Sequence, residues 1–179
     1  MKVKIINKSK NDLPSYATAG SAGMDIRAHL NKPLTVRPNK TILVPTGLYL
    51  ELPAGYEAQI RPRSGLAYKH DLIIPNAPGT IDSDYRGQVK VIIRNLGPKA
   101  YEIKPGERIC QMVIAEYKQV VWDLTEELEE TERGANGFGS TGKFKMVEQK
   151  PNKELEDIRK KIDDATWEVI EDDLKDLKK

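Results

Sequence analysis

Short apolar runs separated by turn residues recur along the first 142 positions of this 179-residue chain. Residues 42–60 have the pattern of strand, turn and strand, and residues 88–96 alternate polar and apolar before both faces become apolar. Residues 109–114 and 120–122 predict two further strands, whereas no helical period is found in this part of the chain. Many short strands with a turn signal about every 8–12 residues are typical of a sandwich, barrel or jelly roll. We therefore predict a mostly β body.

The pattern changes after residue 142, where turn residues almost vanish. All 13 glycines and ten of the 11 prolines lie in residues 1–142, whereas residues 143–179 contain ten basic and eleven acidic side chains. From Leu155 to Leu177 apolar residues recur at spacings of three and four, which predicts an amphipathic helix beginning near Pro151. Such a helix needs an apolar surface. It could dock on its own body, pair with a copy of itself or be an added tag.

Charge and composition exclude several classes of function. The formal net charge of +2 is too balanced for a general nucleic-acid binder, which needs a concentrated basic surface. No apolar run approaches the roughly 20 residues of a membrane span, and the N-terminus is too short and too charged for a signal peptide. Residues 123–132 hold six acidic side chains and no basic one, which predicts a solvated loop or short helix. We expect neither nucleic acid nor a membrane as a partner.

Cysteine and histidine counts limit the metal and redox chemistry. Cys110 is the one cysteine, so the chain has no disulfide framework and a cytoplasmic location is favoured. With His29 and His70 as the two histidines, a zinc site of the usual kind could barely be assembled. A hard ion such as Mg²⁺, arriving with substrate phosphates and held through water, remains open. We expect Cys110 to be a buried thiol in a strand.

Three turn-rich stretches contain the residues best suited to chemistry. Residues 79–87, GTIDSDYRG, combine glycines, two acids and an aromatic, although such a stretch alone could be an ordinary hairpin turn. Residues 61–67, RPRSGLA, offer two guanidinium groups, a hydroxyl and a glycine amide, which suit phosphate oxygens but also fit a basic surface turn. Residues 133–143, RGANGFGSTGK, form a glycine-rich arm that could also be a linker.

Two familiar catalytic patterns are rejected. The run from Gly137 to Lys143 nearly satisfies the Walker pattern, but Phe144 stands where a magnesium-binding Ser or Thr is needed, and no apolar strand precedes the run. Ser64 and His70 suggest a hydrolase triad, yet the context of a nucleophile elbow is missing.

These three stretches, together with residues 19–28, AGSAGMDIRA, and residues 108–113, RICQMV, resemble the five motifs of the trimeric dUTPase family in chain order. The resemblance covers nearly all of residues 1–142. It implies an all-β, jelly-roll or distorted β-barrel subunit and a homotrimer whose sites are shared between subunits. It also implies Mg²⁺-dependent hydrolysis of dUTP to dUMP and pyrophosphate, which keeps uracil out of DNA and supplies dUMP for thymidylate synthesis.

The resemblance divides the chain into three parts. They are a β domain at residues 1–132, a glycine-rich arm that closes over phosphates at residues 133–142, and a charged helical tail at residues 143–179. Family members commonly end soon after the arm, so the tail is the main departure from the family pattern. It could dock on its own trimer or on an unknown partner.

The same resemblance implies roles for individual residues. Asp82 matches the carboxylate that orients and activates the water attacking the α-phosphorus. Tyr85 matches the aromatic that packs on the sugar and leaves no room for a 2′-hydroxyl. Asp25 matches the acid that reaches Mg²⁺ through water, with the ion held mainly by the substrate phosphates. The remaining matched positions bind the phosphates or the base. On the phosphates they are Arg63, Ser64 and Gly65, which contact the substrate of a neighbouring subunit, Gln111 near the α-phosphate, and Arg133, Gly139, Ser140 and Thr141 over the β- and γ-phosphates. On uracil they are Phe138, which stacks on the ring, and Asn76, Thr80, Ile81 and Lys90, which surround it.

Two alternative functions stay open from the residues. A dCTP deaminase, or a bifunctional deaminase and dUTPase, would share the fold and also attack the cytosine amine. The Asp82–Tyr85 stretch and the arm resemble the dUTPase branch instead. A non-catalytic trimeric regulatory or scaffold protein would keep the trimer and use the tail as its interaction element.

Overall fold

Eleven antiparallel strands and one short helix form the regular structure of residues 1–137. The structure is a computed structural model that describes these residues and residue 160. The strands are β1 (Lys4–Asn7), β2 (Met24–Arg27), β3 (Leu34–Val36), β4 (Thr41–Pro45), β5 (Leu48–Glu51), β6 (Tyr56–Arg61), β7 (Leu72–Ile73), β8 (Gly79–Ile81), β9 (Lys90–Asn95), β10 (Tyr101–Ile103) and β11 (Arg108–Glu116), and the helix is α1 (Ser64–His70).

The strands form four sheets that share one apolar core. The largest has the order β2-β11-β6-β8, the next has the order β4-β9-β7, and β1 with β5 and β10 with β3 form two-stranded sheets. Strands far apart in sequence are neighbours in every sheet, as expected when a chain wraps around its core instead of folding as simple hairpins. This all-β jelly roll confirms the predicted fold class.

Branched aliphatic side chains dominate the core. Burying one of them fully stabilises the fold by about 1.5–3 kcal/mol, and β-branched residues fit the pleated surface of a sheet well. Every sheet contributes to the same cluster, and α1 adds Leu66. The fully or almost fully buried members include Ile26, Val36, Val44, Val91, Ile93, Ile103 and Met112.

The longest strand, β11, holds the large sheet together because it pairs with β2 on one side and with β6 on the other. Its pairing with β2 shifts register between Arg108 and Cys110. Such a bulge lets two successive residues, Ile109 and Cys110, both be buried, and it re-aims the side chain at the kink. Beyond the bulge normal alternation returns, so Met112 is buried and Gln111 is on the opposite face.

The strand predictions are confirmed where apolar runs are long. Residues 42–60 cover β5 and all but one residue of each of β4 and β6, residues 88–96 contain β9, and residues 109–114 lie within β11. The prediction for residues 120–122 is wrong in this single chain, because they belong to no strand and are exposed. The body is mostly β, as predicted, and it also contains one short helix, the seven-residue α1, for which the sequence shows no helical period.

The chain divides by its contacts into Met1–Trp122 and Asp123–Lys179. In the second unit the described stretch 123–137 has no helix or strand, and the acidic run is exposed, as the loop prediction requires. The predicted tail helix at residues 143–179 lies outside the described residues, apart from the exposed Lys160. In the described part of the chain, no helix is both long enough and apolar enough to cross a membrane.

Candidate active site

A row of polar side chains crosses three strands of the large sheet. Asp25 of β2 lies opposite Gln111 of β11, and Gln111 lies opposite Arg61 of β6. Their neighbours Ile26, Met112 and Ile60 are buried, so strand alternation directs the polar row away from the core. Cross-strand partners on one face have Cβ atoms about 4.5–5.5 Å apart, which is close enough for these side chains to act together.

Asp25 is the centre of an ion-pair cluster on this face. Its Oδ1 accepts a hydrogen bond from Arg63 Nε at 2.8 Å, and its Oδ2 accepts one from Arg108 Nη1 at 3.0 Å. Arg63 also donates from Nη1 to the carbonyl oxygen of Arg108 at 3.3 Å. The Asp25 side chain is 32% exposed, so the cluster is partly shielded from water and still accessible. Guanidinium groups oriented in this way can present their remaining N–H groups to phosphate oxygens.

The start of α1 is directly beside this cluster in sequence. Arg63 is the N-cap residue in extended conformation, and Ser64 and Gly65 form the exposed first turn. The first N–H groups of a helix have no partner within the helix. The short helix therefore places a guanidinium, a hydroxyl and backbone donors together at one sheet edge.

Gln111 is held in place from two sides. Its Nε2 donates to the carbonyl oxygen of Pro62 at 2.9 Å. Its Oε1 lies so close to Gly23 that a Cβ at that glycine would be 2.7 Å away. The absence of a side chain at residue 23 thus leaves the space that the Gln111 amide occupies.

The loop between β8 and β9 contains Asp82 and Tyr85. Asp82 is exposed, and its carbonyl oxygen accepts a turn hydrogen bond from Tyr85 N at 3.2 Å. The Tyr85 hydroxyl donates to the carbonyl oxygen of Gln88 at 3.2 Å. Arg86 Nη1 donates to the carbonyl oxygens of Ser83 at 2.7 Å and of Tyr85 at 3.2 Å. Four internal hydrogen bonds therefore hold this loop around its carboxylate and its ring.

The residues predicted to surround uracil lie on both sides of this loop. Thr80 and Ile81 are in β8, which pairs with β6, and Lys90 is the exposed first residue of β9. Asn76 packs over Gly79, where a Cβ would lie 2.9 Å from Asn76 Nδ2. The peptide bond between Ala77 and Pro78, just before β8, is cis.

The described chain brings together two separate groups of candidate residues. Asp25, Arg63 and Gln111 share one face and one set of hydrogen bonds, whereas Asp82 and Tyr85 share the loop after β8. Within residues 1–137 no hydrogen bond or ion pair joins the two groups.

The candidate residues of the arm belong to the second unit. Arg133 Nε donates to the carbonyl oxygen of Asn136 at 2.9 Å, and the arm residues Phe138, Gly139, Ser140 and Thr141 lie outside the described residues.

Arg108 is the functional candidate that sequence reasoning missed. It belongs to the fourth motif, but no role followed from its position, because its partner Asp25 lies 83 residues away. The sequence signal available was its position directly before the apolar residues of β11, which does not reveal the bulge between Arg108 and Cys110.

Cys110 is buried in β11, as predicted. Burial in apolar surroundings raises the pKa of its thiol, and the negative charge of Asp25 adds to that rise. A thiol kept protonated is a poor nucleophile, so Cys110 contributes packing instead of chemistry.

The fold and the two groups define a class of protein: an all-β jelly-roll subunit with a phosphate-suited arginine cluster on its largest sheet. The chain belongs to the dUTPase family, since the family model described as dUTPase matches residues 9–142.

Relatives and solved structures agree with this assignment. The deoxyuridine 5'-triphosphate nucleotidohydrolase of Orientia tsutsugamushi (strain Boryong) is 55% identical over 146 residues, covering 79% of this chain and 99% of that protein. The protein of the same name from Finegoldia magna is 52% identical over 142 residues, covering 79% and 99%. The solved Staphylococcus bacteriophage 80alpha dUTPase with dUPNHPP is 26% identical, with a TM-score of 0.72 and coverage of 79% and 98%.

Proposed function

We propose that this chain hydrolyses dUTP to dUMP and pyrophosphate. The observation that carries the proposal is the family match over residues 9–142, which includes every candidate site residue and both groups described above. Among 434 matching proteins, the two named above are deoxyuridine 5'-triphosphate nucleotidohydrolases that share more than half of their aligned residues with this chain. Removal of dUTP would keep uracil out of DNA, and the dUMP formed would supply thymidylate synthesis.

Asp82 is the proposed general base. Its exposed carboxylate accepts a proton from a water molecule as that water attacks the α-phosphorus. A bond forms between the water oxygen and phosphorus, the bond from the α-phosphorus to the bridging oxygen breaks, and pyrophosphate leaves with the electron pair. No covalent intermediate with the protein is needed, so catalysis consists of positioning and charge stabilisation.

The other candidate residues bind and orient the substrate. Arg63, Ser64 and Gly65 would contact the phosphates, and Gln111, fixed against Pro62, would contact the α-phosphate. Tyr85 would pack on the deoxyribose, while the backbone around Asn76, Thr80, Ile81 and Lys90 would read uracil. Arg133, Phe138, Gly139, Ser140 and Thr141 would close over uracil and the outer phosphates. Closure excludes bulk water and strengthens each charged contact.

Enzymes of this family use Mg²⁺, and the residues of this chain fit such an ion as an outer-sphere partner. In the part of the chain that the structure describes, no group of three His, Cys, Asp or Glu side chains could hold a metal ion. Both Asp25 oxygens are paired with arginines, yet each carboxylate oxygen has a second lone pair that can accept from a metal-bound water. When bound, Mg²⁺ would neutralise charge on the substrate phosphates that hold it.

We further propose a homotrimer with sites shared between subunits. Within residues 1–137 no hydrogen bond or ion pair joins the two groups of site residues, which supports completion of the site by a neighbouring subunit. Residues Val120, Val121 and Trp122 are 67%, 97% and 89% exposed, and three successive large apolar side chains favour burial against a second copy. A cytoplasmic location stays a prediction that rests on the single cysteine.

The experiment that tests this function compares purified full-length protein with its Asp82→Asn variant. With Mg²⁺ present, the unaltered protein should release pyrophosphate from dUTP and no ammonia from dCTP. Asp82→Asn should bind dUTP and lose about a hundredfold or more of kcat, since general-base catalysis contributes on that scale. Asp12→Asn, at an exposed carboxylate after β1, is the matched control and should keep kcat. Ammonia from dCTP would favour a deaminase, and no pyrophosphate from dUTP would favour a non-catalytic trimer.

A further inference from the structure

The Tyr85 ring rests on a glycine. Gly87 is two residues further along the same loop, and a Cβ built there would lie 2.9 Å from Tyr85 Cε2 and would overlap the ring carbon and oxygen of the phenol group. Real Cβ atoms do not approach other heavy atoms that closely. The ring position seen in this structure is therefore compatible with glycine at residue 87 and with no larger residue.

One hydrogen bond holds the ring itself, and the others hold the backbone of the loop. The Tyr85 hydroxyl donates to the carbonyl oxygen of Gln88, whereas the Tyr85 N–H closes the turn to Asp82. Arg86 ties the backbone on both sides of Tyr85 through its bonds to the carbonyl oxygens of Ser83 and Tyr85. The backbone of the loop is thus more strongly fixed than the ring, which depends on one hydroxyl contact and on the space above Gly87.

A methyl group at residue 87 would move the ring and leave the loop in place. Gly87 does not have the positive φ that only glycine adopts readily, so alanine fits its backbone. The atoms in conflict are the far end of a side chain that is 44% exposed and can turn toward solvent. The overlap is relieved by rotation of the Tyr85 ring and not by unfolding.

We propose that Gly87 is a specificity-determining position that sets discrimination between deoxyribo- and ribonucleotides through the Tyr85 ring. This inference rests on the proposed function, in which the ring fills the space that a 2′-hydroxyl would need. In this inference Gly87 is a positioning residue, because the absence of a side chain there leaves the space that the Tyr85 ring occupies. Displacing the ring opens room for the hydroxyl of UTP and removes packing from dUTP.

The test measures kcat/KM for dUTP and for UTP in the full-length protein and in Gly87→Ala. We expect the dUTP-to-UTP ratio to fall by roughly tenfold or more, the scale on which a pocket distinguishes substrates that differ by one small group. The melting temperature should change little, because the backbone contacts of the loop remain. Gly55→Asn is the control, because Gly55 lies between β5 and β6 outside the five motifs, a Cβ there has nothing within 4 Å, and asparagine tolerates its positive φ; it should keep the ratio of the unaltered protein.

A double variant shows whether Gly87 acts through the ring. In a Tyr85→Ala background the ring is gone, so adding Gly87→Ala should leave the dUTP-to-UTP ratio unchanged. An unchanged ratio in Gly87→Ala alone, or a further fall in the double variant, would overturn the inference. A protein that fails to hydrolyse dUTP, or that does not prefer it over UTP before any substitution, would instead overturn the proposed function.

Discussion

The carboxylate of Asp25 connects three sequence motifs that are far apart in the chain. It pairs with Arg63, which precedes α1, and with Arg108 at the bulge of β11. One negative charge between two guanidinium groups fixes their directions and reduces their mutual repulsion. The proposed contribution of Asp25 is therefore twofold: it orients Arg63 toward phosphate, and it accepts from a water of the ion that the phosphates hold.

Asp25→Asn tests this orienting role. Asparagine keeps one oxygen that can accept from Arg63, but its NH2 group cannot accept from Arg108. We expect kcat/KM for dUTP to fall roughly tenfold, equivalent to about 1.4 kcal/mol of transition-state binding. The melting temperature should fall by a few degrees at most, because partly exposed ion pairs contribute about 0.2–1 kcal/mol each.

The control for Asp25→Asn is Glu116→Gln, which removes the exposed pair between Lys118 and Glu116 at the end of β11. It should leave both the kinetics and the melting temperature unchanged. Equal losses in the two variants would mean that the Asp25 cluster is an ordinary surface network without a role at the site.

At the scale of elements, the sequence predicts strands well where apolar residues alternate over five or more positions, as in β9 and β11. Strands such as β8 and β10 have three residues each, too few for a period to be visible. The helix α1 was missed because its seven residues bury one apolar side chain, Leu66. A short helix with one inward residue has no helical pattern, and its position follows from tertiary packing instead.

The site could be predicted only in part for a related reason. The resemblance to the dUTPase motifs makes Asp25, Asp82 and Tyr85 proposed site residues, and only the stretch around Asp82 and Tyr85 also stands out by its composition. The pairing of Asp25 with Arg108 and the contact of Tyr85 with Gly87 depend on a bulge and on a loop conformation. Neither is encoded in the spacing of residue types, since both arise from how the strands and loops pack.

The turn between β10 and β11 carries a pH-dependent contact. Tyr101 donates its hydroxyl hydrogen to Glu107 Oε1 at 2.5 Å, and Glu107 Oε2 accepts from Lys104 N at 2.8 Å. Burial, and then the hydrogen bond to Glu107, raise the pKa of Tyr101 to about 12. The folded state thus favours the neutral phenol, and the stabilisation is fully present below the ordinary tyrosine pKa of about 10 and is lost as the pH rises toward 12.

Tyr101→Phe should isolate this contribution. At pH 8 we expect the variant to be less stable by about 1 kcal/mol, the usual net value of one hydrogen bond. That difference from the unaltered protein should shrink between pH 10 and 11 in urea denaturation followed by circular dichroism. Tyr68→Phe, at an exposed ring on α1, should give the same curve as the unaltered protein. If the difference in unfolding free energy between Tyr101→Phe and the unaltered protein stays constant with pH, the hydrogen bond from Tyr101 to Glu107 is not the source of the pH dependence.

At the scale of the whole molecule, the core and the proposed arm are separate parts of the chain. Every buried apolar side chain of the described residues lies between Ile26 and Met112. The family match continues beyond the core to residue 142 and thus includes the arm. Folding and catalysis should therefore respond differently to shortening of the chain, the first depending on the body and the second on the arm as well.

Two truncations distinguish these parts. A chain ending at Lys143 should keep the mass of the proposed trimer, the melting temperature and kcat/KM for dUTP, because it retains the body and the proposed arm. A chain ending at Glu132 should keep the mass of the assembly and the melting temperature. It should lose about a hundredfold or more of kcat/KM for dUTP, because no arm would close over the phosphates to exclude water. Light scattering, thermal melting and pyrophosphate release measure the three properties. A lower melting temperature or a smaller assembly for the chain ending at Lys143 would show instead that residues 144–179 dock on the rest of the protein and stabilise it.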